Sequence, residues 1–199
     1  MRLTSFFLTA LVFTYASQAA IAGSQNLIAD PGFERPRAPQ GTYAVYEPGQ
    51  TIGPWTVIGA SGNVALTSTS DMNGNFLFQA RSGLGYLDLT GNCDCGAPSG
   101  VSQTVATTPG ATYNLTFWGS NAHIRTQGTT STINVYVGST LIFTSFNKRG
   151  RGLEHQVWQK FSTSFVATET NSMISFINGD PDHDLMNGID DINLTEAPN

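Results

Sequence analysis

Thr112-Tyr113-Asn114-Leu115-Thr116-Phe117-Trp118-Gly119-Ser120 alternates strictly between apolar and polar positions, so it predicts an extended strand with two unlike faces. Tyr113, Leu115 and Phe117 fall on one side and read as core. Asn114, Thr116 and Trp118 fall on the other. Pro109-Gly110, just upstream, marks the turn that feeds the strand. The same period of two, or short β-branched runs, predicts further strands at Trp55–Ile58, Val64–Thr69, Gly85–Leu89, Val101–Thr107, Thr132–Val137, Leu141–Ser145, Val157–Val166, Ser172–Ile177 and Ile189–Leu194. Gly138-Ser139, Asn178-Gly179 and Asn187-Gly188 punctuate them. No segment holds a helical apolar stripe for three turns. The expectation is an all-β antiparallel sandwich with no linker or repeat.

Two strands resist simple assignment. In Val157–Val166, Trp158, Lys160, Ser162 and Ser164 oppose Phe161, Thr163 and Phe165, which puts Trp158 across a strand edge or on the second face. In the closing strand Asp190 shares the parity of Ile192 and Leu194. A buried carboxylate without a partner is costly, so Asp190 is expected to need a cation.

The N-terminus reads as an export signal. Met1-Arg2 is followed by an apolar run from Leu3 to Tyr15, and Ala20-Ile21-Ala22 offers a small-x-small cleavage site. Residues 1–22 are therefore expected to be removed, leaving 23–199 as one domain. The apolar run is shorter than the roughly 20 residues that span a bilayer. Secretion, to the extracellular space, periplasm or cell surface, without a membrane anchor is the corresponding expectation. The formal charge of −5 becomes one unit more negative when Arg2 leaves with the signal. A sparsely charged, mildly acidic chain has no electrostatic footprint for nucleic acid. Lys148-Arg149-Gly150-Arg151 reads as a solvated turn. Cys93 and Cys95 are the only cysteines; after export they are expected to form a small-loop disulfide that stiffens a turn.

Several stretches taken in order carry a resemblance. Asn26-Leu27-Ile28 and Asp30-Pro31-Gly32-Phe33-Glu34 open the domain, and Gly53-Pro54-Trp55-Thr56-Val57 follows. Then come Gly85-Tyr86-Leu87-Asp88-Leu89, Ser102-Gln103-Thr104-Val105, the stretch from Pro109 to Phe117, Trp158 with Phe161 and Phe165, and Gly188-Ile189-Asp190-Asp191-Ile192. This order resembles the exported galactose-binding-like proteins of the domain-of-unknown-function 642 family. It is also similar to bacterial choice-of-anchor C proteins and to carbohydrate-binding modules of xylanases. The resemblance implies a jelly roll, polysaccharide binding, and a structural calcium near the chain ends with Glu34 and Asp190 as its carboxylates. Hard oxygen ligands suit that ion.

For a sugar ligand, aromatic faces stack on pyranose C–H groups while amides and carboxylates take the hydroxyls. Trp118, on the non-core face, is the first candidate; Asn121, His123 and Arg125 follow it as polar contacts. Tyr43, Tyr46, Phe76 and Phe78 sit in loop-like segments and offer further platforms, whereas Trp55 and Trp158 are assigned to the core. Asp180-Pro181-Asp182-His183-Asp184 has oxygens at calcium-loop spacing but Leu185 where the turn glycine belongs, so it reads as a solvated turn. Both glycosylation sequons, at Asn114 and Asn193, fall in predicted strands. No nucleophile elbow or placed Cys-His pair is present, and Glu34, Glu47, Asp71, Asp88 and Glu154 cannot be paired from sequence. The expected function is that of a secreted, monomeric, non-catalytic carbohydrate-binding protein of the wall, surface or matrix. A secreted structural or interaction protein is the alternative, and a polysaccharide hydrolase a third.

Overall fold

The computed structural model describes residues 25–74, 76–92, 97–122, 131–149, 153, 155–180 and 186–198. The expected signal peptide, Cys93 and Cys95, His123, Arg125, Gly150, Arg151 and Asp182 to Asp184 lie outside them. Among the described residues there is no helix. The strands in chain order are β1 Tyr43–Tyr46, β2 Thr51–Ile52, β3 Trp55–Ile58, β4 Val64–Ser68, β5 Asp71–Asn73, β6 Phe76–Phe78, β7 Gly85–Asp88, β8 Gly100–Ala106, β9 Thr112–Asn121, β10 Ser131–Val137, β11 Thr140–Asn147, β12 Val157–Val166, β13 Asn171–Asn178 and β14 Asn187–Glu196. Every strand that alternation predicts is present, within a residue or two at its ends.

One six-stranded sheet runs β1-β4-β7-β14-β9-β12 and a second runs β11-β10-β13-β8-β3-β2, all neighbours being antiparallel. Their inner faces enclose the main core, built on Trp55, Leu66, Leu87, Leu115, Phe117, Ile133, Val135 and Phe176. Tyr113, Leu115 and Phe117 point inward, as their parity requires. Phe117 stacks on Phe161 at 5.5 Å and meets Phe176 edge-on at 5.4 Å, so a single ring joins both sheets.

The chain ends are sewn together by amides. Asn26 donates to the Ile192 carbonyl and accepts from the Leu194 N–H. Gln103 bridges both backbone groups of Ala29. These bonds give the opening segment, which has no strand of its own, an obligatory set of partners.

The closing strand departs from simple alternation. The register between β14 and β9 shifts between Asp190 and Asn193, and Asp191 takes a positive φ of 49°. This β-bulge breaks the parity. Ile189, Ile192 and Leu194 all reach the core, while Asp190 pairs opposite Trp118 on the other face. The sequence expectation that Asp190 shares the core side with Ile192 is corrected by that extra residue.

Candidate functional site

The outer face of the first sheet carries a second layer. Register places Tyr43 beside Thr67, Thr67 beside Tyr86, Asp88 between Ala65 and Gly188, Asp190 opposite Trp118, and Trp118 opposite Lys160. Over this face folds the β5–β6 hairpin, two short strands that alternation did not reveal. Phe76, Phe78 and Ala80 pack with Tyr86, Ala122 and Met186 in a separate apolar cluster, joined by the half-buried Trp158. Trp158 meets Tyr86 edge-on at 5.5 Å and donates its indole N–H to the Gln79 carbonyl at 2.8 Å. Trp158 thus packs, half-buried, against the second cluster on the outer face, which corrects its assignment to the core. Phe76 belongs to that cluster, and Tyr46 packs against the main core. Tyr86 is fully buried, and burial, with the charge of Asp88 added, pushes its phenol well above the ordinary range.

Beside the hairpin this face opens into a cleft of about 290 Å³, lined by Tyr43, Thr67, Asp71, Phe78, Asp88 and Asn92 among others. Tyr43 remains 40% exposed and donates its hydroxyl to Asn92 Oδ1 at 2.7 Å. Asp88 is buried; its Oδ1 accepts from the Thr90 N–H, the Thr90 hydroxyl and the Asn187 N–H. Burial raises Asp71 above its usual carboxylate range, and the Met72 N–H pulls the other way. The arrangement offers one exposed ring, Tyr43, for a sugar face beside carboxylates and an amide for its hydroxyls, whereas Phe78, like Phe76, is buried in the second cluster and is no platform. Two other hollows, over Asn114, Thr116 and Ser162 and beside Leu27, Tyr113 and Glu196, combine no exposed ring with such groups.

Trp118 lies where its parity predicts, half-buried on the outer face, but the Arg81 guanidinium sits 4.1 Å from its ring centroid. A cation already covers one face of the indole. Asn121 is corrected: it shares the inward parity of Phe117, is fully buried, and neither atom of its amide has a hydrogen-bond partner. It is not accessible to a sugar. Asp180 is likewise not solvated, since it is buried and its Oδ1 accepts the Thr132 N–H at 2.6 Å.

Glu34 and Asp190 are brought together around the Arg81–Gly85 turn. Glu34 Oε1 accepts the N–H groups of Leu84 and Gly85, and a Cβ at Gly83, whose φ is 65°, would overlap that carboxylate. Asp190 Oδ2 accepts from Arg81 and Ser82, and Oδ1 from the Asp191 N–H. Burial foremost, and the Asp191 charge, push Asp190 up to about 8, while those N–H groups pull it down. No three His, Cys, Asp or Glu side chains converge as a metal group among the described residues. Glu34, Asp190 and Asp191 flank Gly32 without forming such a group; Glu34 and Asp190 carry the hard oxygens that calcium takes, and their hydrogen-bond partners are N–H donors.

The fold and the cleft together define a jelly-roll β-sandwich with a layered, ligand-sized outer face. The chain belongs to the family described as protein of unknown function (DUF642), whose pattern matches residues 26–194. No curated protein matches it. Among solved structures, a Stig cyclase, Fisc, from Fischerella sp. TAU shares 18% identity over 87% of this chain and 97% of its own, with a TM-score of 0.62. The K2 cleaved adhesin domain of Lys-gingipain shares 15% over 84% and 97%, with a TM-score of 0.52. TmCBM61, solved with beta-1,4-galactotriose, shares 19% over 87% and 100%, with a TM-score of 0.48. At such identities the likeness to the cyclase and to the adhesin domain is one of fold alone.

Proposed function

We propose that this is an exported, non-catalytic carbohydrate-binding protein of the wall, surface or matrix, and that its glycan seats in the cleft beside the β5–β6 hairpin. The observation that carries this reading is the cleft itself: the exposed Tyr43 ring, with Asp71, Asp88 and Asn92 around one hollow of about 290 Å³. The leader-like residues 1–22 support export. One stacked ring and a few hydroxyl bonds give modest affinity, on the order of 0.1 to 1 mM for a short oligosaccharide.

Calcium is part of the proposal as a structural ion held by Glu34 and Asp190. It would supply positive charge that lets the Asp190 carboxyl stay ionised. Calcium is expected to raise the melting temperature, and Asp190→Ala to remove the gain; no shift on chelation would count against the ion.

Affinity electrophoresis in wall polysaccharides tests the binding. Tyr43→Ala is expected to weaken retention about tenfold or more while leaving the melting temperature nearly unchanged, because the ring is largely outside the core. Trp118→Ala is expected to have the smaller effect, since Arg81 already occupies its face. Equal retention of wild type and Tyr43→Ala would place the glycan elsewhere. Release of reducing sugar by purified protein would replace the reading with a hydrolase, for which Asp71 and Asp88 are the carboxylates at hand.

A further inference from the structure

We infer that the cleft selects its glycan by charge, accepting an uncharged, hydroxyl-rich ring and excluding a ring that bears a carboxylate. This rests on the carbohydrate-binding reading above. Asp71 and Asp88 both line the hollow, and no Lys, Arg or His does so among the described residues. Asp88 is 4% exposed and fixed by three donors to one oxygen, so it cannot swing away from an incoming anion. Asp71 is held at the rim by its own strand pairing opposite Phe78. Among the described residues, Arg81 lies over Trp118 and Lys160 is opposite Trp118 in register, neither of them lining the cleft.

The physics follows from confinement. Two like charges repel far more strongly in a partly desolvated hollow than in bulk water. A sugar hydroxyl, by contrast, donates to a carboxylate in a charge-assisted bond. The same pair of side chains therefore attracts a neutral hexose and repels a uronate of the same shape. Asp71, raised by burial, also gains from any donor that reaches it.

The test uses the full mature protein with oligosaccharide pairs of equal length that differ only in oxidation at C6: a galactan against a galacturonan, and a glucan against a glucuronan. Calorimetric titration at neutral pH and low salt is expected to give the neutral member at least about tenfold tighter binding. Asp71→Asn keeps an acceptor for the Met72 N–H, and is expected to narrow that ratio severalfold. Added salt, which requires no variant, is expected to narrow it as well. Equal or tighter binding of the acidic members by the wild-type protein overturns the charge selection while leaving the carbohydrate reading intact. An unchanged ratio in both Asp71→Asn and high salt also overturns it. Failure of every pair to bind overturns the carbohydrate reading itself.

Discussion

Trp55→Ala is expected to remove most of the folding free energy. Trp55 is fully buried, stacks on Phe33 at 5.3 Å, meets Phe176 edge-on at 6.1 Å, and donates its indole N–H to the Asp30 carbonyl at 3.0 Å. Truncating a core aromatic costs about 3 to 5 kcal/mol. Losing the indole N–H bond, which leaves the Asp30 carbonyl only the longer Phe33 N–H at 3.3 Å, adds about 1 kcal/mol. The sum approaches the whole stability of a domain, about 5 to 15 kcal/mol. The loss also has a local consequence. Asp30 and Phe33 hold positive φ values of 48° and 55°, which non-glycine residues adopt only when surroundings enforce them. Trp55 touches both and thereby fixes the turn that presents Glu34. Urea unfolding is the measurement; Trp55→Phe should keep much of the stacking and lose chiefly the N–H bond. A loss under about 1 kcal/mol for Trp55→Ala would contradict this placement.

The second large effect is a pH dependence from Asp190. Its carboxyl is pushed up to about 8 in the folded chain, against 3.8 as the ordinary value. The folded state therefore holds a proton that the unfolded chain releases. Its contribution to stability is fully present below about pH 4 and is lost as pH rises through about 8. Within that window the folding equilibrium should weaken by up to about tenfold per pH unit from this group, a few kcal/mol in all. Carboxylates with lowered values slope the other way, so the comparison that isolates Asp190 is wild type against Asp190→Asn. The asparagine keeps an acceptor for the turn N–H groups and does not titrate. Melting curves of the two proteins should lie closest at pH 4 and diverge toward pH 8, with the variant the more stable at the alkaline end. Saturating calcium, by holding the ionised form, should flatten the wild-type curve. Parallel curves for the two proteins would show that Asp190 remains ionised in the fold.

Long strands were legible because their alternation is long enough to repeat: Thr112–Asn121 and Val157–Val166 each show the period several times. Thr51–Ile52, Asp71–Asn73 and Phe76–Phe78 have two or three residues and so carry no readable period, and Tyr43–Tyr46 reads Tyr-Ala-Val-Tyr, with no polar position to alternate. That gap matters for the site, because β1 and the β5–β6 hairpin supply Tyr43, Asp71 and Phe78. Asp71 and Asp88 come to line one cleft only when the hairpin folds over β7, a juxtaposition of segments that local pattern does not encode. The bulge that turns Asp190 outward is equally silent in the sequence. Asn121 is a different case. Its parity with Phe117 was available, and following the alternation from Phe117 through Gly119 to Asn121 assigns it to the interior.

Chemical-shift mapping of the isotope-labelled mature protein, titrated with a neutral oligosaccharide that binds, tests the cleft most directly. The expected result is a contiguous set of perturbed amides at Tyr43, Thr67, Asp71, Asp88 and Asn92, lost in Tyr43→Ala, with the outer face of the second sheet around Tyr136 and Met173 unchanged. Perturbations confined to that second sheet, or a perturbed set that survives intact in Tyr43→Ala, would contradict it.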